Sequence, residues 1–322
     1  MNKDMSDCIT ALEYPEGIVA IDSGMVRPQM AACYLLETDS AIAVIETGNA
    51  ASAQRILDVV RRRGREPDEI SHVIVTHVHL DHAGGAGTLM SLLPQATLVA
   101  HPYGARHVID PSKLEASARA VYGDEKFDEM YGALVPVAED RVRVMEDGER
   151  LSVGGRPLQF MDAPGHARHH FTIWDEQSRG WFTGDTFGIS YRELDSENGA
   201  FIFPTTTPIQ FDPDALQASI DRMLQKNPEH MYLTHFGRVS ELDRLADELK
   251  ADVRWFAELG LSMEESANRT RDIENAMMEH FLQRSRAHGV MHDEETSREI
   301  FAGDVVLNTQ GIEFWLDHGR KR

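Results

Sequence analysis

The hydrophobic pattern of the first hundred residues alternates between two periods. "GIVAIDSG", "AACYLLET" and "AIAVIETG" are short apolar runs closed by polar or glycine residues, and each predicts a strand. "NAASAQRILDVVRRRG" changes period. Ile56, Leu57, Val59 and Val60 fall on one helical face, and Gly64 supplies a stop. "ISHVIVTH" is apolar and β-branched, which predicts a strand buried on both faces. A short helix in "GAGTLMSLLP" and a strand in "ATLVAH" follow.

From Ser112 to Tyr131 the spacing is helical. Strands resume with "RVRVME", "PLQFMDAP", "HHFTIWD" and "RGWFTGD", and "HMYLTH" is a later one. Between them, "DPDALQASIDRMLQKNP" reads as a helix with Asp212 as N-cap. From about Val239 to Gly289 the chain is helical and rich in charge, and the tail "GDVVLNTQGIEFWLDHGRKR" contains one more helix. Several strands are joined by hairpin-length turns. The pattern suits two mixed sheets packed face to face, helices outside, and a helical appendage. The Met and aromatic stripe of that appendage predicts core or a dimer seam.

Composition narrows the class. The chain has 322 residues, 42% of them apolar, and no run near the ~18 residues of a membrane span. The start lacks a signal-peptide layout, so the expected location is cytoplasmic. Two cysteines, Cys8 and Cys33, make neither a disulfide scaffold nor a zinc ribbon. A net charge of −21 disfavours nucleic acid, whose phosphates bind Lys and Arg. "VVRRRGR" reads as a solvated last helical turn.

The candidate chemistry lies in "THVHLDHAGG". His77, His79, Asp81 and His82 put three imidazoles and a carboxylate into six positions after a buried strand. If the extended backbone continues, His77 and His79 share a side. Imidazole suits Zn, Fe and Ni, and a carboxylate adds a harder ligand. His166 in "DAPGHARHH", Asp185 in "WFTGDTFG" and His235 in "YLTHFG" also stand at strand ends, beside Gly or Thr. Together they make seven candidate ligands presented where α/β sites are usually built.

H-x-H-x-D-H, followed by G-H, G-D and T-H at this spacing, resembles the metallo-β-lactamase superfamily over about the first 240 residues. The resemblance implies an α+β fold, a four-layer αβ/βα sandwich, with the metal site along one edge. It divides the chain into a domain at 1–240, with a helical insert near 111–132, and a helical extension at 241–322. It implies that His77, His79 and His166 hold one metal, that Asp81, His82 and His235 hold another, and that Asp185 bridges. Two divalent ions about 3.5–4 Å apart can share a hydroxide and make it nucleophilic near neutral pH. The resemblance implies Asp81 and Asp185 as the catalytic carboxylates. Zn is the default metal, with Fe and Mn as alternatives.

Other residues take secondary roles. His170, four after His166, is read as orienting a ligand or carboxylate. Tyr191 and Thr206 are candidates for support or substrate contact. Thr76 and Thr234 each precede a ligand. Glu46 stands where the superfamily often has Asp, and its longer arm argues against the usual contact. His169 is expected exposed on the opposite strand face, and His72, His101 and His107 structural or superficial.

Departures from known branches matter too. Acyl-homoserine lactonases carry a tyrosine three residues after the bridging aspartate; here that residue is Gly188. Glyoxalase II-type thioesterases and persulfide dioxygenases carry glycine-cysteine motifs where this chain reads "DTFGISYRE". "HVIDPSKLEASARAVYG" and "FPTTTPIQFDPDALQASI" resemble a little-characterised bacterial and archaeal branch with a helical extension. In the second, Thr205, Thr206 and Thr207 offer hydroxyls and Phe201, Phe203 and Phe211 an apolar wall; Pro111–Gly132 is read as a lid. The expected activity is hydrolysis of a small-molecule ester, thioester or lactone, with an iron oxidoreductase as the alternative and a nuclease third. A homodimer is the expected assembly.

Overall fold

The structure, a computed structural model, describes residues 10–206 and 210–319. One sheet holds β1 (Ala11–Tyr14), β2 (Ile18–Asp22), β3 (Ala32–Glu37), β4 (Ile42–Ile45), β5 (Ile70–Ile74), β6 (Thr97–Ala100) and β7 (Val142–Val144), in that spatial order. The other holds β8 (Arg150–Val153), β9 (Arg156–Asp162), β10 (Phe171–Asp175), β11 (Gly180–Gly184), β12 (His230–Leu233) and β13 (Gly237–Val239), again in sequence order. Hairpins give antiparallel pairs, whereas β4–β5–β6–β7 and β11–β12 are parallel.

Strand alternation divides the apolar residues into layers. On the first sheet Val19, Ile21, Cys33, Leu35, Val73 and Val75 face α1 (Ser52–Arg62) and its neighbours. Their partners Ile18, Ala20, Tyr34, Leu36 and Ile74 face the second sheet, meeting Phe160, Phe171, Ile173, Phe182 and Tyr232. On the second sheet Trp174, Trp181, Met231 and Leu233 point the other way, into a cluster with later helices. Three apolar interfaces thus join four layers. Each fully buried large side chain contributes roughly 1.5–3 kcal/mol.

Between β5 and β6 lie α2 (Leu80–Ala83) and α3 (Ala86–Leu92), and after β6 come α4 (Pro102–Ile109), α5 (Ser112–Tyr122) and α6 (Asp124–Met130). α5 and α6 carry Leu114, Tyr122, Phe127 and Met130 onto Met25, Leu80 and Tyr131, a small cluster beside the metal loop. The later helices are α7 (Pro213–Leu224), α8 (Leu242–Met263), α9 (Arg269–His288) and α10 (Glu294–His318). Asp212 caps α7 by accepting from Ala215 N at 3.0 Å.

The stripe of the extension is core. Leu245, Phe256, Met277, Phe281, Phe301 and Ile312 join one cluster with Trp181, Phe187 and Leu233. The phenylalanines of "FIFPTTTPIQFDP" do not form a wall at the site. Phe203 packs on Phe281 at 5.1 Å and Phe211 on Trp315 at 6.1 Å, because α9 and α10 cover that loop. Thr207 lies outside the described residues. α10 starts earlier than the tail pattern implied, with Asp293 capping Thr296 N at 2.8 Å. In "VVRRRGR", Arg63 pairs with Glu37 and Glu13, and Arg65 with Glu69. No helix among the described residues is long and apolar enough to cross a membrane.

Candidate metal centre

β5 ends at Ile74, so the backbone is not extended through the histidines. Thr76 and His77 lie in a bend, and His79 is the N-cap of α2, with Asp81 and His82 in that helix. The turn, rather than a strand face, brings His77 and His79 together. His77 Nε2 and His79 Nδ1 are 2.8 Å apart. His166, in the turn after β9, puts Nε2 3.0 Å from the same His79 atom.

Asp185 follows β11 and faces this trio with one oxygen. Its Oδ2 is 3.4 Å from His166 Nε2 and 3.9 Å from His77 Nε2. Its Oδ1 turns to a second group, 3.3 Å from His82 Nε2 and 3.6 Å from His235 Nε2. Asp81 Oδ2 completes that group at 3.5 Å from His82 and 3.3 Å from His235. All seven side chains named from the sequence converge: His77, His79, His166 and Asp185 form one cluster and Asp81, His82 and His235 another, with Asp185 Oδ1 reaching the second; Glu46 also lies within ligand distance of His77 and His82.

The donor set fits two cations. Metal–nitrogen bonds of 2.0–2.1 Å in a tetrahedron put neighbouring donors roughly 3.3 Å apart. The observed separations scatter around that. His82 Nε2 and Asp185 Oδ1 are buried, without a hydrogen-bond partner, and aimed at the same space. Such buried polar atoms are costly unless satisfied. Burial pushes the Asp185 carboxyl up, but His82, His166 and His235 outweigh it and hold it well below the usual carboxylate range. Burial likewise opposes a charged His82, yet Asp185, Asp81 and Glu46 raise its pKa well above the ordinary value.

The far nitrogens of four candidate ligands are anchored, which fixes ring orientation. His77 Nδ1 donates to Thr76 Oγ1 at 3.1 Å, and His82 Nδ1 to Glu46 Oε1 at 3.1 Å. His166 Nδ1 meets the Thr205 carbonyl at 3.0 Å, and His235 Nδ1 the Met30 carbonyl at 2.7 Å. His170 accepts from the backbone N–H of Asp185 through Nε2 at 3.2 Å and meets Thr186 Oγ1 through Nδ1 at 3.3 Å. It therefore orients the shared carboxylate through the main chain.

Several expectations need correction. Glu46 does reach the centre despite its longer arm. It accepts from Thr76 N at 3.1 Å, from Thr76 Oγ1, from His82, and from Thr234 Oγ1 at 3.3 Å. Its backbone adopts φ +66°, and its carboxylate lies within ligand distance of His77 and His82. His169 is neither on a strand nor exposed. It is half-buried, stacked on His77 at 6.1 Å and edge-on to His79 at 5.4 Å, because β10 begins only at Phe171. His101 is buried and structural, its Nε2 at 2.9 Å from Asp162 Oδ1. Thr206 is buried and donates its N–H to Asn308 Oδ1 of α10 at 2.7 Å. Tyr191 lies edge-on to His235 at 6.5 Å, beneath the Arg27 guanidinium. Its hydroxyl is 3.3 Å from both oxygens of Asp304. Arg27, Asp304 and the Met30 and Thr205 carbonyls carry no motif and were not legible before the fold.

Gly184 shows how tightly the centre is built. It has φ +50°, and a Cβ there would sit 2.4 Å from His170 Nε2 and 2.5 Å from Thr76 Oγ1. Gly184→Ala is expected to destabilise the protein by about 1–3 kcal/mol from backbone strain alone, with more from the displaced His170. Urea unfolding checks this; a wild-type midpoint would contradict the packing.

Comparison with known proteins identifies the family and the fold. A metallo-beta-lactamase fold-containing protein of Sulfurisphaera tokodaii is 28% identical over 228 residues, 70% of this chain and 80% of that protein. An N-acyl homoserine lactonase of Bacillus thuringiensis is 24% identical over 236 residues, 66% of this chain and 82% of its own. A solved metallo-beta-lactamase family protein from Thermus thermophilus shares the fold, with TM-score 0.64 at 20% identity, over 94% of each chain. An archaeal superfamily structure from Sulfolobus tokodaii gives 0.63 at 22% identity, over 93% of this chain and 99% of its own. Coverage that high takes in the C-terminal helices. The family model described as the metallo-beta-lactamase superfamily matches residues 26–235, and the chain belongs to that superfamily.

Proposed function

We propose that the protein is a dinuclear metal-dependent hydrolase acting on the carbonyl of a small-molecule ester, thioester or lactone. The observation that carries this is the split of Asp185, one oxygen toward each ligand set. His77, His79 and His166 would hold one ion, Asp81, His82 and His235 the other, and Asp185 both. Two divalent ions, when bound, supply Lewis-acid polarisation and lower the pKa of water toward neutrality.

The chain's own groups do the rest. The Asp81 side chain is 27% exposed, against 4% or less for Asp185, His77, His82, His166 and His235, so its carboxylate is placed to accept a proton from an entering water. Burial raises the Tyr122 and Tyr131 phenols of the insert, and the Asp81 charge raises them further. They pack with Met25, Phe127 and Leu80, the chain neighbour of Asp81, in one apolar cluster, which supports reading the insert as a cover and a small acyl compound as the substrate. The lactonase relative favours carbonyl substrates. The −21 charge disfavours a polyanionic one.

The test is metal analysis of protein purified without added metal, joined to a screen of esters, lactones, thioesters, phosphodiesters and β-lactams. The expected result is two ions per chain, oxygen-independent turnover of a carbonyl substrate, loss with chelator, and recovery on adding Zn²⁺ or Mn²⁺. Iron with oxygen uptake would establish the oxidoreductase instead, and activity on phosphodiesters alone would reverse the substrate class.

A further inference from the structure

α10 presents two polar side chains one turn apart, Asp304 and Asn308, positions that share a helix face. Asn308 is buried. Its Oδ1 accepts from Thr206 N at 2.7 Å, and its Nδ2 donates to the Pro204 carbonyl at 3.2 Å. Its own carbonyl accepts from Thr206 Oγ1 at 3.1 Å. These bonds fasten the chain on both sides of Thr205. That segment belongs to no helix, and only Phe203 before it makes a β-bridge. The Thr205 carbonyl is the group that receives His166 Nδ1.

We propose that Asn308 is a positioning residue of the metal centre: by clamping Pro204–Thr206 it fixes the Thr205 carbonyl and, through it, the ring of His166. The inference rests on reading His77, His79, His166 and Asp185 as one cation site. An amide suits the position because it must accept from one main-chain group and donate to another. Aspartate can do only the first, and would face the Pro204 carbonyl with a charge. Asp304 gives parallel support on the other side, through Tyr191 beside His235. The C-terminal extension is thus part of the centre although it contributes no ligand.

The experiment titrates Co²⁺ into metal-free wild type, Asn308→Ala, Asn308→Asp and Val306→Ala, a half-exposed control on the same helix. A competing chelator sets the affinity scale, and visible absorption reports ligand geometry. Wild type and Val306→Ala are expected to take two ions with matching spectra. Asn308→Ala is expected to weaken one ion by about 10–100-fold, the usual size of an effect transmitted through a ligand's hydrogen-bond partner, and to leave the other near wild type. Asn308→Asp is expected to fall between. The gain in Tm on metal loading should shrink in the variant; a merely structural role would lower loaded and free forms equally. If Asn308→Ala does not fold, Thr206→Val removes a single bond of the clamp and is expected to shift affinity the same way, by less. Wild type taking two ions and the folded variants matching it would overturn the inference alone. Wild type taking no ion would overturn the proposed function, and the inference with it.

Discussion

Asp185→Asn is expected to abolish turnover and to leave at most one divalent ion per chain. The substitution keeps the shape of the side chain and changes only its donors. In the wild type, Oδ2 faces His166 and His77 while Oδ1 faces His82 and His235. A carboxamide offers one oxygen, and its NH₂ must then point at the other ligand set, where it cannot bind a cation. Loss of a shared ligand forfeits several kcal/mol of transition-state stabilisation, about 10³-fold or more in kcat/KM. The check is kcat/KM on the best substrate of the screen, with metal content and circular dichroism on the same preparation. A folded Asp185→Asn protein with two ions and full turnover would refute the shared-ligand assignment.

That Asp185 would lie among these histidines was legible from the sequence for a physical reason. Metal ligands must be of few residue types, and strand ends hold them in short, regular contexts. "HVHLDH", "GH", "GD" and "TH" therefore survive as local signals although the fold brings them together from distant segments. The central strands were legible for a similar reason. Strands β2 to β5 are buried on both sides, or nearly so, and read as apolar runs. The edge strands β1 and β8 alternate between exposed and covered positions over four residues each, too short for a period to show. α4 was hidden by Gly104 and by a start at His101–Pro102, where the imidazole rather than a Ser or Asp caps the helix.

What the sequence concealed were contacts made by common groups. A carbonyl at Met30 or Thr205 has no signature, because every residue has one. Asn308 lies over a hundred residues from Thr206, inside a helix whose pattern suggested only packing. His169 was misplaced because the strand read from "HHFTIWD" begins two residues later, at Phe171, which leaves His169 in the preceding turn, where strand alternation does not set its direction. Phe203 and Phe211 were apolar and close in sequence to the site, yet they belong to the interface with α9 and α10. Distance along the chain was a poor guide to which side of the second sheet a loop covers.

Glu46 is the group for which the expectation and the structure differ most, and its replacement carries the second large effect. Its carboxylate is buried and receives Thr76 N, Thr76 Oγ1, His82 Nδ1 and Thr234 Oγ1. Thr76 and Thr234 directly precede the candidate ligands His77 and His235, so one side chain ties together three segments of the candidate centre. Glu46→Gln introduces an NH₂ among groups that already donate. Thr76 Oγ1 could accept from the new NH₂ as well as from His77 Nδ1, but its own hydroxyl hydrogen would then lose the Glu46 oxygen it bonds now. Every arrangement leaves a buried donor unpaired, at about 1–3 kcal/mol each. Glu46→Ala removes the acceptor altogether and is expected to cost about 3–5 kcal/mol, the range for breaking a buried charged pair. The ion held by His82 should also weaken by about 10–100-fold, since that ring loses its anchor. Urea unfolding of the metal-free protein measures the first effect, and chelator competition the second. If Glu46→Ala unfolded at the wild-type midpoint and bound both ions as tightly, the carboxylate would be a bystander, and the three segments would have to be held by their backbones alone.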